Sequence, residues 1–326
     1  MNTVHVCVAA DGNYKLPLLC LVKSIALNSA SHPCVIHVLF SGISNRCRRN
    51  LIAKYRDTNI SFDFIDMSKY VFDFSGLDMQ HWTRAIFYRM MIPEIFKNLD
   101  RILYIDCDTL VLSDLFDFFN TEFTDDTDIA MVVDKFSWKS QIVKLKTKNY
   151  FNSGMILFDI NKCRESEFSK KCVHWLHDNP KIATFPDQDA INVVCDGRIL
   201  RVNNIYNKQF APNETILLET KPMLIHFLSA VKPWMWRAPI KYSQIYRPYM
   251  PNKLYRLRTV VGQFLYHCKH WCFHKTYTMK LEKIKVVEYI KYYVFNICIH
   301  TSVSKKQHMD IVSMLKYNKD KADVHK

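Results

Sequence analysis

The chain has 326 residues, 49% of them hydrophobic, with only 6 Gly, which excludes a disordered or low-complexity protein and allows one large core or two modest ones. The formal net charge is +14, and it is unevenly spread. Residues 251–326 hold 15 Lys+Arg against 5 Asp+Glu, whereas the first 250 hold 30 against 26, so a near-neutral body carries a basic tail suited to a polyanionic partner.

Val4 to Ala10 reads as a buried strand. It runs into the turn cluster Asp11-Gly12-Asn13-Tyr14 and then an apolar helix pattern from Leu16 to Leu27. Val35 to Phe40 is a second strand, Asn45 to Tyr55 a basic helix, and Ile60 to Ile65 alternates as a third strand. This alternation of strand and helix predicts a mostly parallel α/β sheet. No Gly-x-Gly-x-x-Gly follows the first strand and no Gly-Lys-Ser/Thr loop occurs, so neither a dinucleotide site nor a P-loop is expected. Thr83 to Phe96 is predicted helical, and it carries Arg84 and Arg89.

The most informative stretch follows. Ile102 to Ile105 is an apolar strand that leads straight into Asp106-Cys107-Asp108, and a second apolar run covers Leu110 to Leu112. Side chains two apart on an extended chain share a side, so Asp106 and Asp108 are able to reach one object together. Two carboxylates at the mouth of a buried strand repel each other unless a cation sits between them, and hard oxygen ligands suit Mg²⁺ or Mn²⁺. The bland alternative is an Asp-x-Asp turn that caps a helix.

Ile129 to Val133 is another strand, and it ends at Asp134. Tyr150-Phe151-Asn152-Ser153-Gly154 precedes the strand Met155–Phe158, and Lys162 to His177 is an amphipathic helix. Phe185-Pro186-Asp187-Gln188-Asp189 opens a helix that runs to Cys195, with proline and carboxylates suited to its N-terminus. Lys221 to Phe227 reads as a strand ending at His226, with Lys232-Pro233-Trp234 beyond. Asp11, Asp106, Asp108, Asp134, Asn152 and His226 thus punctuate strand ends, and in a parallel sheet such ends converge on the face where ligands bind.

These motifs resemble the family 8 retaining glycosyltransferases, most closely the bacterial lipopolysaccharide galactosyl- and glucosyltransferases. The resemblance rests on Ala9-Ala10-Asp11-Gly12-Asn13-Tyr14, Asp106-Cys107-Asp108, Tyr150 to Gly154, Asp187-Gln188-Asp189, and His226 through Lys232-Pro233-Trp234, in family order over roughly residues 4–236. It implies a GT-A fold, a single nucleotide-sugar-binding α/β domain with a mixed sheet. It also implies that Ala9, Asp11, Asn13 and Tyr14 hold the uracil and ribose of a UDP-sugar, and that Arg89 contacts the donor. Asp106, Asp108 and His226 would ligate Mn²⁺ or Mg²⁺, with Cys107 between the aspartates turned away. Lys232 would neutralise the leaving diphosphate, and Asp134, Asn152, Asp187 and Gln188 would surround the donor hexose. Ser229 stands where relatives usually have Gly.

A UDP leaving group needs charge neutralisation as the glycosidic bond breaks. Gln188 offers an amide oxygen to the sugar's β face. A carboxamide is a poor nucleophile, which favours same-face displacement through an ion pair over a covalent intermediate.

The tail mixes basic residues with Tyr255, Trp271, Phe273, Tyr289, Tyr292, Tyr293 and Phe295. Read as helical, it suits an interfacial anchor on anionic lipid; an ordinary packed subdomain is the plainer alternative. His267, Cys268, His270, Cys272 and His274 do not have zinc-finger spacing, and no RRM, KH or zinc-knuckle motif supports a nucleic-acid partner. Eleven cysteines are too sparse for a disulfide framework, and Cys7, Cys20, Cys172 and Cys195 lie in apolar runs. Met1 to Ala10 lacks the marks of a signal peptide. The longest uncharged tail stretch, Tyr292–Ser304, has 13 residues, too few to span a bilayer.

The expectation is therefore a catalytic domain over 1–250 and a membrane-associating tail over 251–326. The enzyme would be a peripheral protein of the cytoplasmic face of the bacterial inner membrane, moving galactose or glucose from a UDP-hexose to a lipid-linked lipopolysaccharide core oligosaccharide. A capsule or protein acceptor keeps the same fold, and a polyanion-binding protein using the basic tail is the non-enzyme alternative.

Overall fold

The computed structural model describes residues 3–29, 31–70, 83–212, 214, 221–251, 273–282, 285–294 and 297–303. The chain divides into two compact units, one of Met1–Trp234 with Ala238–Arg256 and one of Met235–Arg237 with Leu257–Lys326.

The first unit is built on a seven-stranded sheet of order β3-β2-β1-β4-β7-β6-β8. Its strands are β1 (Val4–Asp11), β2 (Cys34–Ser41), β3 (Ile60–Asp66), β4 (Arg101–Ile105), β6 (Ile129–Val133), β7 (Phe151–Asp159) and β8 (Ile199–Arg201). β1 pairs parallel with β2 and β4, and β2 with β3. β7 runs antiparallel to both β4 and β6, and β6 is parallel to β8. The sheet is therefore mixed, as the family resemblance implies, where the alternation of strand and helix alone predicts mostly parallel. Because β7 is reversed, its amino end lies at the same edge as the carboxyl ends of β1, β4 and β6, and Asn152 joins that edge from the start of a strand.

Strand alternation divides the core. Val4, Val6, Val8 and Ala10 of β1 pack on one side with Leu18, Leu21 and Ile25 of the helix Lys15–Asn28. Cys7 packs on the other with Tyr104, Phe87 and Ile156. The predicted helix over 162–177 is two helices, Ile160–Glu165 and Phe168–Asp178. They break at Glu167, whose φ of 53° is left-handed.

A second, three-stranded sheet has the order β5-β10-β9, with β5 (Thr109–Val111), β9 (Lys208–Phe210) and β10 (Leu224–Phe227). β10 is antiparallel to β5 and parallel to β9. Leu110, Phe210, Ile225 and Phe227 form its core with Tyr242 and Tyr246 of the helix Ile240–Tyr246. The chain thus leaves the large sheet at Ile105 and enters the small one at Thr109, with Asp106-Cys107-Asp108 as the crossing.

The described residues of the tail overturn the helical reading. They form an antiparallel sheet of β11 (Phe273–Glu282), β12 (Lys285–Val294) and β13 (Ile297–Val303). The reason lies in composition: Thr276-Tyr277-Thr278, Val286-Val287, Tyr289-Ile290 and Tyr292-Tyr293-Val294 are β-branched and aromatic residues that suit a pleated surface. Tyr255, His267, Cys268, His270, Trp271, Cys272 and Phe295 lie outside the described residues. Among those described, no helix is long and apolar enough to cross a membrane.

Candidate active site

The crossing segment is fixed by its backbone. The Asp106 N–H donates to the Gly154 carbonyl at 2.8 Å, and the Phe227 N–H donates to the Asp108 carbonyl at 3.0 Å. The Thr109 hydroxyl closes the turn onto the Asp106 carbonyl at 2.7 Å. Asp106 and Asp108 are thereby held between β7 of the large sheet and β10 of the small one. His226, 3% exposed, sits within β10 opposite Thr109. Its Nε2 lies 3.3 Å from Asp108 Oδ1 and 3.8 Å from Asp106 Oδ2. One ligand atom from each of the three residues falls within 4.8 Å of the others.

Gly154 makes this approach possible. A Cβ there would lie 2.0 Å from His226 Cε1, 2.6 Å from its Nδ1 and 2.9 Å from Asp106 Oδ2. The motif glycine is therefore a steric requirement of the cluster. Two carboxylates and an imidazole in one small space form a donor set able to hold a divalent cation.

Two cations flank the acids. Lys232 Nζ lies 2.6 Å from Asp108 Oδ2 and also donates to the Phe227 carbonyl at 2.8 Å. Burial opposes charge on Asp108, but Lys232 beside it holds its carboxyl well below the usual carboxylate range. Arg89, on the 3₁₀ helix Arg84–Met91, is 6% exposed. Its Nη2 reaches Asp106 Oδ1 at 2.8 Å, its Nε reaches Asp187 Oδ2 at 3.1 Å, and its Nη1 donates to the Ser153 carbonyl at 2.8 Å. Burial works against the guanidinium charge, and Asp106 and Asp187 more than offset it, raising its pKa.

The residues expected around the sugar share one hydrogen-bond network. Asn152 Nδ2 donates to Gln188 Oε1 at 3.2 Å and to Asp134 Oδ2 at 3.3 Å, and Gln188 Nε2 donates to the same Asp134 oxygen at 3.3 Å. The Ser153 N–H donates to Gln188 Oε1 at 2.9 Å, and its hydroxyl donates to Asp187 Oδ2 at 3.2 Å. Asp134 Oδ1 meanwhile caps the next turn, accepting from the N–H groups of Phe136 and Ser137 at 3.0 and 2.7 Å. Burial pushes the Asp187 carboxyl up, against the pull of Arg89.

The helix Pro186–Val194 aims its first turn at this network because it is pinned to β7. Asn192 accepts from the Phe151 N–H at 2.7 Å and donates to the Phe151 carbonyl at 2.8 Å, and the Tyr150 hydroxyl donates to Asp189. Asp189 in turn accepts from the N–H groups of Thr184 and Phe185.

The loop after β1 completes the edge. Asp11 Oδ1 accepts from the N–H groups of Asn13 at 2.8 Å and Tyr14 at 3.2 Å, so it acts as a local cap. Asn13 is exposed. Burial, then Asp108 and Asp106, push the Tyr14 hydroxyl up, and its ring meets Trp234 edge-on at 6.3 Å. The Cys107 thiol donates to the Ala9 carbonyl at 3.3 Å and so faces β1. Ser229 has a φ of 81°, left-handed and suited to glycine.

Two residues of the cluster carry no role in the sequence reading. Tyr104, 1% exposed, donates its hydroxyl to Asp106 Oδ1 at 2.6 Å while Arg89 lies over its ring at 4.7 Å. Asn207, fully buried, donates to Asn152 Oδ1 at 3.0 Å. A hydroxyl two residues before Asp106 in an apolar strand was the available signal for the first. Asn207 lies in a loop with no pattern to mark it.

Similarity to known proteins follows the same segment. The sequence model of glycosyl transferase family 8 matches residues 5–237. The general stress protein A of Bacillus subtilis is 26% identical over 271 residues, covering 76% of this chain and 93% of that protein. The lipopolysaccharide 1,3-galactosyltransferase of Salmonella typhimurium is 25% identical over 298 residues, covering 84% and 87%. Among solved structures, the galactosyltransferase LgtC with donor and acceptor sugar analogs superposes with a TM-score of 0.65 at 21% identity, covering 78% of this chain and 100% of that one. The mixed sheet flanked by helices is thus the GT-A fold. A family match that runs from the first strand past Lys232, and takes in the acidic crossing, His226 and the Asn152–Gln188 network on the way, places this chain in glycosyl transferase family 8.

Proposed function

We propose that the chain is a divalent-metal-dependent, retaining hexosyltransferase that moves galactose or glucose from a UDP-sugar to a lipopolysaccharide core acceptor. The observation that carries the reading is the Asp106–Asp108–His226 cluster within 4.8 Å, with Lys232 on Asp108, in a family 8 fold. The lipopolysaccharide galactosyltransferase among its relatives supports the acceptor class.

Asp106, Asp108 and His226 would hold Mn²⁺ or Mg²⁺, which supplies Lewis-acid neutralisation of the diphosphate. Ala9, Asp11, Asn13 and Tyr14, on the loop beside Trp234, would receive the nucleoside. Arg89 holds Asp106 and Asp187 in register, so the metal side and the sugar side are positioned as one body. Lys232 supplies a point charge to the departing diphosphate. Asp134, Asn152, Asp187 and Gln188 would enclose the hexose. Gln188 Oε1 already accepts from Ser153 and Asn152, and a carboxamide is a poor nucleophile. Both points favour same-face displacement through a short-lived ion pair over a covalent adduct.

Residues 1–250 form the catalytic domain in this reading. The basic tail, 251–326, holds the enzyme on the cytoplasmic face of the inner membrane, where a lipid-linked acceptor resides. Sedimentation with anionic vesicles tests this part: the full chain should pellet and a chain ending at 250 should not, and equal pelleting removes the role of the tail.

The decisive experiment is UDP release with Mn²⁺ across UDP-glucose, UDP-galactose and their N-acetyl forms. Turnover of one donor, lost with EDTA and reduced at least about 100-fold by Asp108→Asn, is the expected result. Unchanged turnover in Asp108→Asn would remove the metal role.

A further inference from the structure

We infer that Asn152 is a positioning residue for the metal centre: its Oδ1 fixes His226 as the Nδ1–H tautomer and so presents Nε2 to the ion. The inference rests on the metal reading above and adds a role to Asn152 that is separate from any contact with the sugar.

The orientation of the Asn152 amide is set by the backbone beside it. The Gly154 backbone N–H points at one of its terminal atoms at 3.1 Å. A backbone N–H only donates, so that atom is the oxygen. The same test fixes Gln188, whose oxygen receives the Ser153 N–H at 2.9 Å. With both amides set, Asn152 Nδ2 spends its hydrogens on Gln188 Oε1 and Asp134 Oδ2. Asn152 Oδ1 also receives Asn207 Nδ2 at 3.0 Å. Asn152 is 4% exposed, and every polar atom of its side chain is engaged.

His226 Nδ1 lies 3.1 Å from this same oxygen. A carboxamide oxygen carries no hydrogen, so the bond forms only if Nδ1 carries the proton. The neutral ring then has its lone pair on Nε2, and Nε2 is the nitrogen that faces Asp108 at 3.3 Å and Asp106 at 3.8 Å. A lone pair aimed at two carboxylates is unfavourable on its own and favourable with a divalent cation among them. The opposite tautomer would leave Asn152 Oδ1 facing a bare Nδ1 and would put a hydrogen where the ligand lone pair belongs. Metal-bound histidines take their tautomer from the partner of the other nitrogen, and removing such partners lowers metal affinity about 10–100-fold.

The placement also joins the two halves of the site. One carboxamide directs its oxygen to the metal ligand and its nitrogen to Gln188 and Asp134. Asn152→Asp separates these functions. A carboxylate at 152 still accepts from Nδ1–H and the Gly154 N–H, but it has no hydrogen for Asp134 or Gln188.

The test uses the full chain without donor. Free Mn²⁺ is counted by electron paramagnetic resonance, and ¹⁵N shifts of His226 are read in the Mg²⁺-loaded, histidine-labelled protein. Asn152→Leu should weaken Mn²⁺ binding by about 10–100-fold. Asn152→Asp should keep wild-type Mn²⁺ affinity while donor turnover falls. In the wild type and in Asn152→Asp, His226 should carry its proton on Nδ1. Wild-type Mn²⁺ affinity in Asn152→Leu, or a proton on Nε2 in the wild type, would overturn the assignment. Should Asn152→Leu fail to fold, the wild-type ring spectrum decides alone. No Mn²⁺ binding by the wild type would instead overturn the metal reading itself.

Discussion

Gly154→Ala is the smallest change that tests the architecture of the site. Gly154 lies in β7 between β4 and β6, and its φ is not positive, so alanine meets no backbone penalty. The conflict is purely spatial. The added methyl would stand 2.0 Å from His226 Cε1 and must gain about 1.4 Å to reach an ordinary 3.4 Å contact. β7 retreats here only by breaking the bonds of Gly154 itself, whose carbonyl accepts from the Asp106 N–H and whose N–H donates to Asn152 Oδ1. The His226 ring is buried and paired with Asn152, so it gives way only by leaving its partner. Overpacking of this kind costs about 1–3 kcal/mol, a melting-temperature loss of roughly 2–12 °C for a domain of this size. Displacement of a reacting group by about 1 Å costs on the order of 100-fold in rate. The assay pairs thermal unfolding with Mn²⁺-dependent UDP release. The expected result is a folded protein with a modest stability loss and a turnover loss of about 100-fold. Wild-type turnover and Mn²⁺ affinity in Gly154→Ala would mean that His226 is not a member of the ligand set.

Arg89→Ala leaves Asp106 and Asp187 without the cation between them and should destabilise the fold by about 3–5 kcal/mol in urea unfolding. Arg89→Lys keeps the charge but not the fork, so it should restore much of the stability and little of the turnover; equal turnover would reduce Arg89 to a counter-ion. Burial pushes the Cys20, Cys34 and Cys195 thiols up to about 12. A thiol whose folded pKa lies above its unfolded value contributes stability that is present below about pH 9 and is lost as pH rises toward 12. Alkylation at pH 8 should therefore spare these cysteines in the native chain and reach them in urea, and rapid native labelling would contradict their burial. His37 is pushed down by burial despite Asp63 at 3.0 Å. Its contribution is present above about pH 6.5 and lost as pH falls through the lower folded value, so His37→Gln should flatten the acid side of a melting-temperature profile.

Much of the large sheet was legible in the sequence. β1, β2 and β6 are apolar runs long enough to show strand character, β3 alternates, and turn residues bound them. The direction of β7 was not legible, because Phe151–Asp159 has the same pattern whichever way it runs. The small sheet was hidden for a different reason: β5 and β9 have three residues each, too few for periodicity to register. The sequence pattern places His226 at a strand end converging with those of the main sheet, whereas it lies within β10 of the small sheet. The site residues were found as motif letters, but their partners were not. Nothing near Arg89 in sequence announces Asp106 and Asp187, which meet it only through packing. The tail misleads because tyrosines at 289, 292 and 293 fall at helical spacing, while the β-branched residues around them, Val286, Val287, Ile290 and Val294, suit a strand.

The crossing from β4 to β5 has a mechanical consequence. Asp106 belongs to the end of the large sheet, while Asp108 and His226 belong to the small one. An ion held by all three would rivet two separately hydrogen-bonded layers at a point where the chain passes between them. Opening the small sheet would then require losing the ion. At a free-ion concentration 100 times the dissociation constant, that adds about 2.7 kcal/mol to the opening free energy. Amide exchange in β5, β9 and β10 should slow on adding Mn²⁺ while β2 and β3, at the far edge, keep their rates. The small sheet would so become a gauge of occupancy, read out in protons exchanged with solvent and needing no sugar at all.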